Sequence, residues 1–461
     1  MTYQANDHLE LLKPFQRATV DYVFQRLFTD TSPTRQFLVA DEVGLGKTMV
    51  ARGVIAKTIE QLAGKVDRID VVYICSNQAI AEQNIKSLNV IGSATKPLNT
   101  RLTLLPLEIE QEGGIASRPI NLISLTPGTA LDLKSSLGTA KERALIYEML
   151  RKRLGIRHGG VQRIFRGGVT PENWPGWTDW MRSQSISRDI SEKFNEAIGD
   201  DFIQRIRAAS ELARNKKSPD YPPDQRPASI IGELRRILAR ICVDALTPDL
   251  IILDEFQRFA ELLHEHDESL APEKAAAAEL ARALFSYSGP DGSSARLLLL
   301  SATPYRMLTL SSDDPEEGDH YSDFLRTMRF LFGDVDGEAR VRELENELSQ
   351  FRRALQAMPA SRSAARIQRD RVHHILSQVI ARTERVDSTA DRNSLVRELK
   401  PPLTIETDDL KEAKAVSKVA ELVSAPGIVE YWKSSPYLLN FMRGYKLRER
   451  LQAVKLRPAK E

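Results

Sequence analysis

Five short apolar runs constrain this chain more than any other feature of it: QFLVAD from Gln36, DVVYICS from Asp70, NLISLTP from Asn121, DLIILDE from Asp249 and ARLLLLSATP from Ala295. Most lack the apolar–polar alternation of a strand with one wet face, so they read as strands covered on both sides. Helical patterns lie between them, and an open α/β parallel sheet with helices on both faces is the expected fold class. Ligands of such sheets bind beyond the carboxyl ends of the strands. Asp41, Ser76, Thr126, Asp254 and Ser301 all fall at or just past those ends, so one rim of the sheet is expected to be functional.

The stretch LVADEVGLGKTMVARGVIA, from Leu38, joins the first run to a helix through a glycine turn. Val50, Val54, Ile55, Ile59 and Leu62 share one face of that helix, and Gly64 closes it. A triphosphate is a dense anion whose site needs inward-pointing backbone N–H groups, a helix N-terminus and one flexible cation. Gly44 and Gly46 let the backbone curl round phosphates, Lys47 can reach the β and γ phosphates, and Thr48 can offer its hydroxyl to magnesium. Asp41 stands where the usual Walker pattern has its first glycine, and an ordinary glycine turn before a helix is the plain alternative. The second anchor is DLIILDE, an apolar strand that ends in two carboxylates. Asp254 is suited to hold magnesium through water, and Glu255 to orient and deprotonate the attacking water. On their own, two acids after an apolar run are a solvated strand end; following a phosphate loop in this order, they read as its partners.

ADEVGLGKT, LDEFQ and LSATP, in that order, resemble motifs I, II and III of superfamily 2 helicases and translocases, in particular the Swi/Snf-like branch, whose phosphate loop also begins Asp-Glu. The resemblance covers most of residues 11–310 and implies a bacterial RecA-like P-loop NTPase lobe that binds ATP and Mg2+. It implies that Gln16, in LLKPFQRA, contacts adenine, and that VYICSNQAIAEQ and NLISLTPGTA touch nucleic-acid backbone as motifs Ia and Ib. Ser301 and Thr303 would transmit the nucleotide state, with Gln257 at a coupling position where many relatives carry His or Asp. VIARTERVD, from Val379, resembles the segment leading out of the first lobe. DNA is the expected polymer and RNA the other choice; DNA repair, transcription recycling and antiviral defence are the settings such proteins serve. A P-loop ATPase acting on protein partners, or a nucleotide-switched scaffold, is the rival reading.

The family closes its active site between two RecA-like lobes, the second of which supplies arginine fingers. After Ser301 there is no second strand-rich α/β pattern and no QxxGRxxR-like segment. An arginine finger is worth about a thousandfold or more in rate, so one lobe is expected to bind ATP and turn it over poorly. A second lobe in another polypeptide, or in a further part of a longer protein, is the expected partner, within a multi-protein complex.

The expected organisation is a first lobe part over 1–129, a helical insertion over 130–246, a second lobe part over 247–335 and a helical extension with linker over 336–461. Helical patterns run near 341–357 and 364–385. In the insertion, Arg151, Lys152, Arg153, Arg157, Arg163 and Arg166 form a cationic stretch beside Trp174, Trp177 and Trp180, a candidate grip for nucleic acid. A basic helix end and core-packing tryptophans explain the same residues. His264 and His266 lack a third ligand at metal-site spacing and read as a solvated helix, as the acidic Asp313–Asp319 reads as a solvated loop. Cys75 and Cys242, without a CxxC partner, read as buried thiols. A formal charge of +2 over 461 residues excludes a polyanion-binding surface spread over the whole chain. Lacking a signal-like start and a long apolar run, the protein is expected in the cytoplasm, away from membranes.

Overall fold

The computed structural model describes residues 3–75, 77–92, 96–97, 101–110, 114–126, 137–155, 159–215, 220–256, 272–289, 292–301, 320–333, 336–357, 362–384 and 407–422. Residues 1–304 and 324–388 form one compact unit. A second unit comprises 305–323 and 389–461, and its described part includes the helix Thr407–Leu422.

All five apolar runs form strands: β1 (Gln36–Val39), β2 (Ile69–Ile74), β4 (Ile120–Leu125), β5 (Leu250–Asp254) and β6 (Arg296–Leu300). Two-residue strands, β3 (Lys96–Pro97) and β7 (Ile380–Ala381), complete a sheet ordered β3-β4-β2-β5-β6-β1-β7, in which every pairing is parallel. Successive side chains on a strand point to opposite faces, and here both faces are dry. Leu38, Val72, Ile74, Ile251, Leu253, Leu297 and Leu299 enter one core. Their neighbours Phe37, Val39, Val71, Tyr73, Ile252, Leu298 and Leu300 enter the other. That is why the runs show no alternation.

The second core is roofed by α1 (Asn6–Leu9), α2 (Pro14–Phe24), α3 (Lys47–Leu62) and α4 (Gln78–Leu88) through Leu9, Val20, Val23, Val54, Ile59 and Ile85. Pro14 sits in the first turn of α2, where its missing N–H costs no hydrogen bond, so the helix starts there; it continues as a π turn over Gln25–Thr29. The first core extends without a break from the sheet into the segment read as an insertion. There Leu145, Leu150, Phe165, Trp174, Ile206, Leu234 and Leu238 are buried on a set of helices that includes Ala140–Leu154, Gly159–Arg166, Trp174–Arg182, Asp200–Asn215 and Pro227–Leu246.

Two of these helices cross at very short range. A Cβ built on Gly160 would lie 2.0 Å from the Ser210 carbonyl oxygen, so only glycine lets the helix Gly159–Arg166 seat on Asp200–Asn215. Gly160→Ala is expected to lower stability by about 1–3 kcal/mol through this overpacking, read as a lower urea midpoint at unchanged slope. An unchanged midpoint would mean that the helices separate at no cost.

The region assigned to the extension belongs in part to the same body. Helices Gly337–Gln356 and Arg362–Ser377 bury Val341, Leu344 and Ile375 in the first core. The second helix ends eight residues before the predicted 385, because Val379–Thr383 leaves it to pair with β1: Leu38 N–H donates to Val379 O (2.8 Å), Ala40 N–H to Ala381 O (2.8 Å) and Glu42 N–H to Thr383 O (3.2 Å). From the neighbouring helix, Tyr22 Oη donates to Ser377 O and Arg26 Nε to Gln378 O. No helix among the described residues is long and apolar enough to cross a membrane.

Candidate active site

The register places Val39, Leu300 and Asp254 side by side at the carboxyl rim of β1, β6 and β5. The glycine loop after β1 and the acid pair ending β5 are therefore two strand spacings apart, about 10 Å. Ser301, following β6, lies between them; it is buried, and its N–H donates to Val39 O at 3.0 Å. Thr303 and Gln257, expected to carry the coupling, lie outside the described residues, as do Ser76, Arg157, His264 and His266.

The loop has the backbone its glycines predict. Gly44 and Gly46 take φ of 88° and 80°, left-handed values that favour glycine, and Gly46 is the N-cap of α3, so Lys47 and Thr48 open that helix. The loop is braced from α2 by Gln16, whose Nε2 donates to Leu45 O at 2.8 Å while its Oε1 accepts from Lys13 N–H at 3.0 Å. A Cβ on Gly46 would come within 2.6 Å of that Nε2. Gln16, read from sequence as an adenine contact, is buried and engaged with the loop itself.

Asp41, at the place of the missing glycine, is fully buried, and its Oδ1 accepts the Thr383 N–H at 2.7 Å. Burial pushes its carboxyl pKa up, opposed by the Thr383 hydrogen bonding and by the charges of Lys47 and Arg382. The carboxylate thus clamps the strand leaving this unit to the glycine loop.

Lys47 Nζ donates to the carbonyls of Asp41 (3.1 Å) and Glu42 (3.4 Å). Burial lowers its pKa, and the charges of Asp41, Asp254 and Glu255 oppose that shift. The ammonium therefore sits within electrostatic reach of the acid pair. Glu255 has φ of 53°, a left-handed value that costs a residue with a Cβ about 1–2 kcal/mol. Strain of this kind collects where a side chain must be aimed. Phe256, buried in the first core, anchors the turn behind it.

Asp254 brings in two residues absent from the sequence reading. Tyr73 Oη donates to Asp254 Oδ2 at 2.5 Å, and Asn84 Nδ2 donates to the same oxygen at 3.2 Å and to Tyr73 Oη at 2.9 Å. Burial, then the neighbouring Asp254 charge, pushes the Tyr73 phenol above its ordinary range, so it remains a donor. The signal for Tyr73 was present in DVVYICS: a tyrosine inside an otherwise aliphatic buried strand needs a partner for its hydroxyl.

No cluster of three or more His, Cys, Asp or Glu suited to a metal occurs among the described residues. Magnesium asks for less: it keeps several waters and takes one or two protein oxygens beside substrate phosphates. The Thr48 hydroxyl and Asp254 Oδ1 are hard oxygen donors, and the described hydrogen bonds of Asp254 engage Oδ2. This donor set fits magnesium.

The cationic stretch divides. Arg153 is half-buried, donating to Asn195 O and Ile198 O (2.7 Å for the latter) and pairing with Asp200, and Arg163 donates to Ala213 O. Arg151 pairs with Glu148, Lys152 is exposed, and Arg166 is half-buried. Trp174 is buried, whereas Trp177 and Trp180 are 38% and 39% exposed and meet edge to face. Cys75 and Cys242 are buried, unpaired thiols. No protein-family model matches this chain, and no curated protein matches it either.

Proposed function

We propose that the chain is the ATP-binding, RecA-like first lobe of a nucleic-acid-dependent ATPase of superfamily 2, Swi/Snf-like branch, working with a second RecA-like lobe in the same or another polypeptide. The observation that carries this reading is the convergence on one rim of the Lys47 ammonium, at a helix N-terminus behind two left-handed glycines, with the Asp254–Glu255 pair two strands away. On this reading the glycine loop and Lys47 hold the phosphates, while Thr48 and Asp254 Oδ1 hold magnesium. Glu255 orients the attacking water and takes its proton, and Ser301, between the two halves, registers the γ-phosphate. Bound magnesium would neutralise charge developing on the phosphoryl oxygens.

Nucleotide binding tests this directly. A fluorescent ATP analogue should bind the wild-type chain, and Lys47→Ala should weaken binding about 10- to 100-fold, the worth of a charge-assisted contact, with the melting temperature maintained. Equal binding by both proteins would sink the reading. Single- and double-stranded DNA and RNA, added with the second lobe, should then raise hydrolysis. The hydrogen bonds of half-buried Arg153 and Arg163 to backbone carbonyls favour the rival, a P-loop ATPase acting on protein partners, to the extent that they engage charge that would otherwise face a polymer. Stimulation by no nucleic acid would select it.

A further inference from the structure

The hydrogen-bonded triangle of Tyr73, Asn84 and Asp254 joins three elements: β2, α4 and β5. Tyr73 is 1% exposed, so its hydroxyl makes these bonds away from water, where their directional effect is greatest. The triangle holds one carboxylate oxygen of Asp254, and none of the described hydrogen bonds engages the other, so the triangle restrains the carboxylate's rotation. Partners of this kind orient metal ligands and hold them ready for the ion. Asn84 adds a mechanical link. It stands on α4, whose first turn is capped by Asn77 Oδ1 accepting from Ala79 N–H at 2.9 Å. That first turn lies within VYICSNQAIAEQ, the segment whose resemblance to motif Ia implies a nucleic-acid contact.

Resting on the function proposed above, we infer that Tyr73 and Asn84 are positioning residues for the magnesium carboxylate Asp254, and that Asn84 couples α4, on the nucleic-acid side, to magnesium affinity at the nucleotide site. A strand that shifts α4 would move the Asn84 amide against Asp254 Oδ2 and so change how well Oδ1 meets the ion. Their described hydrogen bonds go to Asp254 and to each other, so on this inference binding without metal does not depend on them.

The test titrates magnesium against binding of a fluorescent ATP analogue to the full chain, with a parallel titration in EDTA. Tyr73→Phe removes one oxygen and keeps the ring in its core; Asn84→Ala removes the link to α4 from a half-buried position. Each is expected to raise the magnesium midpoint about tenfold or more while leaving the EDTA affinity unchanged. A structural defect would instead weaken binding equally in both conditions. That result, or unchanged magnesium midpoints in both variants, would overturn the positioning role. An oligonucleotide should shift the midpoint of the wild type and not that of Asn84→Ala; equal shifts, or none in the wild type, would overturn the coupling. Failure of the wild type to bind the analogue at all would remove the underlying reading, an outcome distinct from any of these.

Discussion

Glu255→Gln should keep ATP bound and lose hydrolysis by about 10²- to 10⁴-fold, the usual worth of a positioned general base. The change is nearly isosteric and keeps a Cβ, so the left-handed backbone at φ 53° is strained to the same degree in both proteins and stability should hardly move. It also removes one of the charges that oppose the effect of burial on Lys47, leaving those of Asp41 and Asp254. The measurement is single-turnover hydrolysis with protein in excess, beside equilibrium binding of a non-hydrolysable analogue. Weakened binding would mean that Glu255 holds the metal or nucleotide and is no base. An unchanged rate would mean that water is activated elsewhere. On the proposed one-lobe reading, without arginine fingers, the ratio between variant and wild type is the informative quantity, with each absolute rate expected to be low.

The rim was legible because its parts are local. A glycine loop, the lysine after it and two acids after an apolar run are each written within a few residues. That the runs are strands covered by helices follows from their lack of alternation, and all five became strands of one parallel sheet. What escaped was non-local or brief. Asp41 meets Thr383 across 342 positions, and Asp254 meets Tyr73 across 181, pairings that no spacing rule reaches. Strand β7 is two residues long and follows a helix closely, so the helical period masks it. The chain from 336 onward was read as an extension for the same reason: its helices look amphipathic either way, and only the fold shows that their apolar stripes join the sheet's own core. Gln16 adds a further non-local link: its amide bonds to Lys13 and Leu45, bracing the glycine loop in a way its motif did not announce. The insertion's arginines looked alike in sequence, and only their neighbours separate Arg153, held by backbone carbonyls, from exposed Lys152.

Glu142→Ala is expected to cost about 3–5 kcal/mol, because it removes the carboxylate paired with a buried guanidinium. Glu142 and Arg235 are both fully buried, and their pairing is 2.9 Å through Oε1. The Thr103 hydroxyl donates to that same oxygen at 2.7 Å, and the Thr139 N–H and hydroxyl donate to Oε2 at 2.7 and 2.9 Å. One carboxylate therefore ties three places together: the 3-10 turn Leu102–Leu107, the start of helix Ala140–Leu154 and the middle of helix Pro227–Leu246. Burial alone would raise its pKa, but the Arg235 charge and these donors outweigh burial and hold it below the usual range. A depressed carboxylate contributes stability above its unfolded pKa and loses it as pH falls through the folded one. Urea unfolding should accordingly show wild type and Glu142→Ala furthest apart near neutral pH and converging in acid. The desolvation argument makes a further demand: Glu142→Leu combined with Arg235→Met should recover much of the loss, since an apolar pair of similar volume needs no counter-charge. If the double variant remains as unstable as Glu142→Ala, the threonine and backbone donors matter more than the charge. A cost below about 1 kcal/mol for Glu142→Ala would instead mean that water reaches this site, and that the helices after residue 139 are held on the sheet by their apolar contacts alone.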